Sequence, residues 1–237
     1  LFDTATFQIT VREVNRPPVI TDTTDRVVNS LAPVSVDFNA SDPDQPGQTL
    51  TFTLAADAPA GSTMDPASGL FTWTPPAGTP DGVYPVTVIV RDDQTPPGED
   101  TTTFRIILDR VPPQVVGITP TGTLTAPFGV FDVTFTEPVN SGAFVPADVS
   151  LTGPAGASAF RGVSQPSPTT VRFTFQTQHD NGTYALSLKP TIRDTAGNLM
   201  DTDADGTGGE PVEDVLSAAF TLAITGDLVR YHTLGWR

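Results

Sequence analysis

TTTFRIILDRV (residues 101–111) decides how this chain is divided. Phe104, Ile106 and Leu108 recur at every second position, the period of a strand with one buried face. An acid and then a pair of prolines end the run. The same pattern stands at the start of the chain, where TATFQITVREV (4–14) puts Phe7, Ile9 and Val11 on one face and leads into the prolines of EVNRPPVI (13–20). The two copies lie about one domain of ~100 residues apart. Residues 1–16 are therefore expected to be the last strand and linker of a preceding, truncated domain. Residues 17–110 then form one complete domain and 111–224 the next, with 225–237 a tail or linker.

Proline and glycine limit what lies between. The 237 residues include 24 prolines and 20 glycines, and proline stands at roughly twice its usual ~5%. Proline lacks a backbone donor and clashes inside a helix, so prolines at short intervals exclude long helices. Short strands between turns remain. In the first domain they are expected at PVSVDF (33–38), TLTFTL (49–54), GLFTWTP (69–75), VYPVTVIVRD (83–92) and TTTFRIIL (101–108). In the second they are expected at PQVVGI (113–118), FDVTFTE (131–137), DVSLTG (148–153), SAFRGV (158–163), TVRFTFQ (170–176), GTYALSLK (182–189) and LSAAFTLAI (216–224). The expected fold class is all-β, two tandem Greek-key β-sandwiches. Valine, isoleucine, phenylalanine and threonine cluster in alternating runs that can bury a face, which argues against proline-rich disorder.

The formal net charge is −15, from 27 acidic and 12 basic residues, and Lys189 is the one lysine. So acidic a surface repels phosphate backbones and anionic membranes, so nucleic acid is not an expected partner. It suits divalent cations. With no cysteine there is no disulfide framework, thiolate metal site or thiol nucleophile. No stretch is apolar enough to span a membrane, and LFDTATFQIT lacks the charged start and apolar core of a signal peptide. The sequence, which does not begin with methionine, is expected to be a piece of a longer chain.

DTDADGTGGE (201–210) is the strongest site signal. Asp201, Asp203 and Asp205 fall at positions 1, 3 and 5 of a calcium loop, and Gly206 falls at position 6. Alternate residues of a tightly curled loop point inward, and the glycine allows the turn that brings the Thr207 carbonyl to the ion. The twelfth position, where a bidentate glutamate belongs, is Val212; Glu210 and Glu213 lie on either side. The flanks read as strands, so any ion here orders a loop and does not reorient helices. Unpaired carboxylates this close repel by roughly 1 kcal/mol per pair at a surface, which favours a cation.

Residues 17–110 resemble the cadherin-like, dystroglycan-type modules of bacterial surface proteins. EVNRPPVI, NASDPDQPGQTLTFTL (39–54), ASGLFTWTPPAGTPDGVYPVTVIVRD (67–92) and TTTFRIIL carry the resemblance over nearly the whole domain. In that family calcium sits at domain junctions. The resemblance implies ligands at Glu13 and Asn15 in the linker, Asp42 and Asp44 in the D-x-D, and Asp92, with Asp93 adjacent. Two departures stand out: a glutamate replaces the linker aspartate, and Arg16 places a positive charge beside it. Residues 111–224 resemble bacterial Ig-like modules related to S-layer repeats, through VTFTEPVN (133–140) and GTYALSLKPTIRDTAGNLMD (182–201). The fold these resemblances imply is Ig-like and cadherin-like.

No catalytic constellation is legible. The two histidines, His179 and His232, have no metal-spaced partner, and there is no nucleophile elbow or phosphate loop. The expectation is a non-catalytic structural or adhesion module of an exported bacterial protein, extracellular or at the cell surface and stiffened by Ca2+. Its partners are expected to be neighbouring domains of the same chain and another surface protein or a glycan. Two alternatives stand beside it. One is a carbohydrate-binding accessory of a secreted hydrolase, using Phe71, Trp73 and Tyr84; the other is a homophilic adhesion module.

Overall fold

A computed structural model describes residues 2–10, 14–21, 23–44 and 47–225. The chain divides after Asp109 into two compact units. Both are built almost entirely of strands.

The first unit contains β1 (Val19–Ile20), β2 (Arg26–Val28), β3 (Val34–Asp37), β4 (Ala40–Ser41), β5 (Thr51–Leu54), β6 (Thr63–Met64), β7 (Leu70–Trp73), β8 (Gly82–Arg91) and β9 (Glu99–Leu108). One sheet runs β2-β9-β8-β5, a second β3-β7-β6, and β1 pairs with β4. The β8–β9 hairpin is the backbone of the unit, in register from Gly82↔Leu108 to Arg91↔Glu99. Strict alternation places Val86, Val88 and Val90 of β8 and Phe104 and Ile106 of β9 on one buried face. Val34, Val36, Phe71 and Trp73 meet them from the other sheet. Phe104 stacks against Phe38 and Phe71, at centroid distances of 5.6 and 5.5 Å. β2 joins the edge of β9 in parallel, Arg26↔Ile106 to Val28↔Leu108.

The second unit has the same number of strands among the described residues, gathered into two larger sheets. The strands are β10 (Val115–Thr119), β11 (Gly122–Leu124), β12 (Phe128–Phe135), β13 (Val149–Gly153), β14 (Gly156–Ala157), β15 (Phe160–Ser167), β16 (Thr170–Gln178), β17 (Gly182–Leu188) and β18 (Leu216–Leu222). Two 3-10 turns, Ser141–Ala143 and Pro146–Asp148, precede β13. The sheets run β10-β12-β16-β15 and β11-β18-β17-β13-β14. Phe131 lies between them, against Phe128, Phe175 and Phe220 at 5.5, 6.2 and 4.8 Å. β11 again pairs in parallel with the last strand, Gly122↔Phe220 to Leu124↔Leu222.

Every strand expected between 33 and 224 is present, within a few residues at either end. Six short ones were not anticipated: β1, β2, β4, β6, β11 and β14, each of two or three residues. β2, β6, β11 and β14 each lie against a longer strand that offers hydrogen bonds, β1 and β4 pair with each other, and none has an alternation of its own to read. The opening segment behaves differently. Residues 2–10 join no sheet, and Phe7 and Ile9 are 78% and 76% exposed. A strand needs a partner for its backbone groups, and among the described residues none is offered to this one. Val11, Arg12, Glu13 and most of the 225–237 tail lie outside the described residues.

Two details of the second unit make testable demands. Gly153, on β13, faces the Tyr184 ring across the ladder; a Cβ there would lie 2.1 Å from the ring. Tyr184 is itself pinned by its hydroxyl, which donates to the Asp180 carbonyl at 2.7 Å. Gly153→Ala is expected to cost about 1–3 kcal/mol through forced displacement of the ring, measured by denaturant unfolding of the variant against the parent. Asp132 and Arg172 are direct cross-strand partners on β12 and β16, joined by two hydrogen bonds of 2.7 Å each. The guanidinium holds the Asp132 carboxyl below its usual range. A carboxylate with a depressed folded-state pKa stabilises the fold above its unfolded pKa, and that stability is lost as pH falls through the folded value. Arg172→Met is therefore expected to flatten the fall of stability with acidification below about pH 4, read from melting temperatures across that range.

Candidate metal centre

The loop between Met200 and β18 is built around buried aspartates. Asp201 is buried, and its backbone N–H donates to the Pro113 carbonyl at 3.1 Å. Its Oδ1 accepts from the N–H of Ala204 at 2.7 Å and its Oδ2 from the N–H of Gly206 at 2.9 Å. Such a tight curl requires left-handed backbone: Ala204 has φ 64° and Gly206 φ 93°. Glycine adopts that conformation freely and alanine only at a cost. Asp203 and Asp205 accept from the N–H groups two residues on, Asp205 at 3.2 Å and Thr207 at 2.7 Å. The loop closes through Asp214, whose side chain is wholly inaccessible to solvent. Its Oδ1 accepts from the Thr202 N–H at 2.6 Å and its Oδ2 from the Glu210 N–H at 2.8 Å, while the Thr202 hydroxyl donates to its carbonyl at 2.7 Å.

Carboxylates converge as a result. One oxygen each of Asp201, Asp203 and Asp205 lies within 4.8 Å of the others, and the same holds for Asp203, Glu210 and Glu213. Asp203 belongs to both sets, so five acids share one neighbourhood. Val212, at the position a glutamate would hold in a helical calcium loop, points to solvent at 85% exposure. On either side of it, half-buried Glu210 and exposed Glu213 each bring an oxygen near Asp203. Glu210 Oε2 is buried and has no hydrogen-bond donor. Burial pushes the Glu210 carboxyl above its usual range, and the charges of Glu213, Asp205, Asp214 and Asp203 push it further. The sequence offers no relief nearby, because no lysine or arginine occurs between Arg193 and Arg230.

At the other end of the chain, the residues named by the cadherin resemblance lie around the 92–98 turn. Asp44 and Asp92 are buried, at 1% and 6% exposure. Asn15 Nδ2 donates to Asp92 Oδ2 at 2.9 Å, and Arg16 engages both Asp44 oxygens, with N–H and Nε each at 2.7 Å. Asp42 Oδ1 accepts from the Asp44 N–H at 2.8 Å. The Asp44 carboxyl is held below its usual range, first by the Arg16 backbone N–H. Burial raises Asp92, but the Asn15 amide and the N–H groups of Gln94 and Gly98 outweigh it. Glu13 lies outside the described residues. Among the described residues, Asp42, Asp44 and Asp92 do not form a group of three carboxylates within 4.8 Å.

Sequence reasoning did not find Asp214. It stands in GEPVEDV as one acid among several, and nothing local separates it from a solvated turn; burial under the loop is what gives it its role. The aromatics considered for sugar binding are also placed. Phe71 and Trp73 are buried, Trp73 Nε1 donates to the Ala60 carbonyl at 3.1 Å, and the Tyr84 hydroxyl donates to the Pro80 carbonyl at 2.6 Å.

Two family models match the chain. Residues 17–108 match the family described as "Putative Ig domain", and residues 109–227, half of the chain, match the one described as "Bacterial Ig-like domain". Among solved structures, the chain is similar to the N-terminal part of the bacterial S-layer protein SbsC at 24% identity, over 47% of this chain and 24% of that one, with a TM-score of 0.34. It thus spans about a quarter of that S-layer fragment. It is also similar to the human desmocollin-1 ectodomain, at 10% identity over 92% of this chain and 39% of that one, with a TM-score of 0.32. A third similarity is to an endo-fucoidan hydrolase of glycoside hydrolase family 107, at 15% identity over 88% and 35% of the two chains, with a TM-score of 0.41. No curated protein matches the chain.

Asp214 and Asp203 separate the loop's scaffold from its exposed acids. Without added cation, Asp214→Ala is expected to destabilise the second unit by about 2–4 kcal/mol, because the half-buried Thr202 and Glu210 lose the charged acceptor of their N–H groups. Asp203→Asn, at an exposed position, is expected to leave stability unchanged or raise it by about 0.5–1 kcal/mol through relief of repulsion. Urea unfolding in EDTA measures both, and equal losses in the two variants would contradict the division.

Proposed function

This chain belongs to the bacterial Ig-like domain family, and on that premise we propose that it is a non-catalytic structural and adhesive segment of an exported bacterial protein. In this reading it holds or presents neighbouring domains at the cell surface or outside the cell, and one of its loops is ordered by calcium. The convergence of Asp201, Asp203, Asp205, Glu210 and Glu213 carries the calcium reading. Five carboxylates with a donorless buried oxygen among them, and no basic residue nearby in sequence, match the demand of calcium for several hard oxygens from a flexible loop. Asp201 has accepted two N–H groups and retains lone pairs for an ion. Since the loop runs straight into β18, an ion held there would fix the entrance to the strand that closes the second unit.

Residues 1–16 fit a further module before the first. Phe7 and Ile9 repeat Phe104 and Ile106 of β9, which are buried, so the segment carries the inward face of a closing strand. The partners proposed are neighbouring modules of the same protein, together with a surface protein or glycan met through them. A sugar platform built on Phe71 and Trp73 is disfavoured, because both rings are in the core.

Calorimetric titration with calcium tests the loop. The expected dissociation constant is about 10⁻⁴–10⁻³ M, the range of extracellular modules. At 10 mM calcium and a constant near 0.3 mM, linkage gives about 2 kcal/mol of added stability, or roughly 5–10 °C in the melting temperature of a domain this size. Both effects are expected to vanish in Asp203→Ala/Asp205→Ala, which leaves the buried frame of Asp201 and Asp214 in place. Equal heats from the parent and this variant would sink the proposal.

A further inference from the structure

The acidic cluster of the first unit receives a cation from the chain itself. Arg16 is a largely exposed side chain, yet three of its donors close on one aspartate turn. Its backbone N–H and Nε reach the two oxygens of buried Asp44, and its Nη2 reaches the Pro43 carbonyl, all at 2.7 Å. From Asp44 a continuous line of hydrogen bonds crosses the cluster. Gln48 Nε2 donates to Asp44 Oδ2 at 3.4 Å and to Asn15 Oδ1 at 3.2 Å. Asn15 Nδ2 then donates to Asp92 Oδ2, and the Gly98 N–H lies 3.0 Å from each Asp92 oxygen. The site is tight, because a Cβ on Gly98 would come within 2.6 Å of Asp92 Oδ2.

The polarity of these groups decides what the cluster holds. A divalent ion needs oxygens turned toward it. Here both Asp44 oxygens face Arg16, Asn15 presents its nitrogen to Asp92, and the Asn15 oxygen is taken by Gln48. Donors thus occupy the Asp44, Asp92 and Asn15 oxygens that an ion would need empty. Arg16 also suits the task, because its planar guanidinium sets Nε on the Asp44 carboxylate and Nη2 on the Pro43 carbonyl at once. We propose that Arg16 is the resident counter-cation of the Asp44–Asp92 cluster, so that the first unit is locked at its entrance without a divalent ion. Because the cation is covalently part of the chain, the lock does not depend on ion concentration, unlike the 201–213 loop. Asp42 Oδ2 and Gln48 Oε1, buried without a donor, are the acceptors available to an ion once the guanidinium is removed.

Hydrogen exchange at the amides of Arg16, Asp44, Gln94 and Gly98, followed by NMR on the full chain, reads this cluster separately from the loop. In the parent, exchange at these amides is expected to be the same in EDTA and in 10 mM calcium. Arg16→Gln in EDTA is expected to exchange about tenfold faster or more, the effect of losing a charge-assisted hydrogen bond, and calcium should slow it again. Arg16→Lys keeps the charge without the fork; it should fall between the two and remain indifferent to calcium. Calcium protection in the parent would overturn the proposal. So would unchanged exchange in Arg16→Gln, failure of calcium to slow that variant, or a lysine variant no better than glutamine.

Discussion

Each unit depends on its last strand being paired on both sides. β9 lies between β8 and β2, and β18 between β17 and β11. In both units an antiparallel hairpin neighbour supplies most of the ladder, and a three-residue strand from near the start of the unit supplies the remainder in parallel. The chain thus returns to its own beginning and covers the last three residues of each closing strand, 106–108 and 220–222, on strands that carry the core side chains Phe104 and Ile106 in one case and Phe220 and Leu222 in the other. Open edges are the usual hazard of a sandwich. The exposed segment 2–10 shows the reverse condition: the alternation of a strand with no partner among the described residues.

The acidity of the chain is used locally as much as globally. With 24 prolines and no cysteine, long turns are held neither by helices nor by disulfides. Aspartates do the work by accepting backbone N–H groups. Asp65 takes those of Ala67 and Ser68, Asp194 those of Gly197 and Asn198, Asp201 those of Ala204 and Gly206, and Asp214 those of Thr202 and Glu210. Each binds a turn to itself; Asp65 does so at the surface, and Asp194, Asp201 and Asp214 do so at the cost of burying charge. Where several such turns meet, negative charge accumulates. The two units balance it by different means, a guanidinium at Asp44 and, in the proposed reading, a dissolved ion at Asp203.

How much of this was legible follows from what a sequence pattern can encode. Alternation over four or more residues reports burial on one face, so the long strands β8, β9, β12, β16, β17 and β18 stand out. β2 and β11, which complete the two sheets, are too short to alternate, and their existence is decided by β9 and β18. The same holds at the candidate site. The D-x-D-x-D-G spacing reveals Asp201, Asp203 and Asp205, and Glu210 and Glu213 are readable as flanks of an unsuitable Val212. Asp214 is not readable, since its role comes from burial beneath a loop twelve residues upstream. Arg16 was visible only as an unexpected charge; that it grips the aspartate a metal would need is a fact of three dimensions.

The parallel pairing of first and last strands also has a mechanical side. A pull on the two ends of the first unit draws β2 toward its N-terminus and β9 toward its C-terminus, in opposite directions along strands that run side by side. The hydrogen bonds of the pair are then loaded together in shear, and none is peeled open ahead of the rest. β11 and β18 stand in the same relation in the second unit. In the proposed reading the segment spaces other domains and bears tension along its length, which passes through β1 before β2 and through β10 before β11 and then meets the parallel pair.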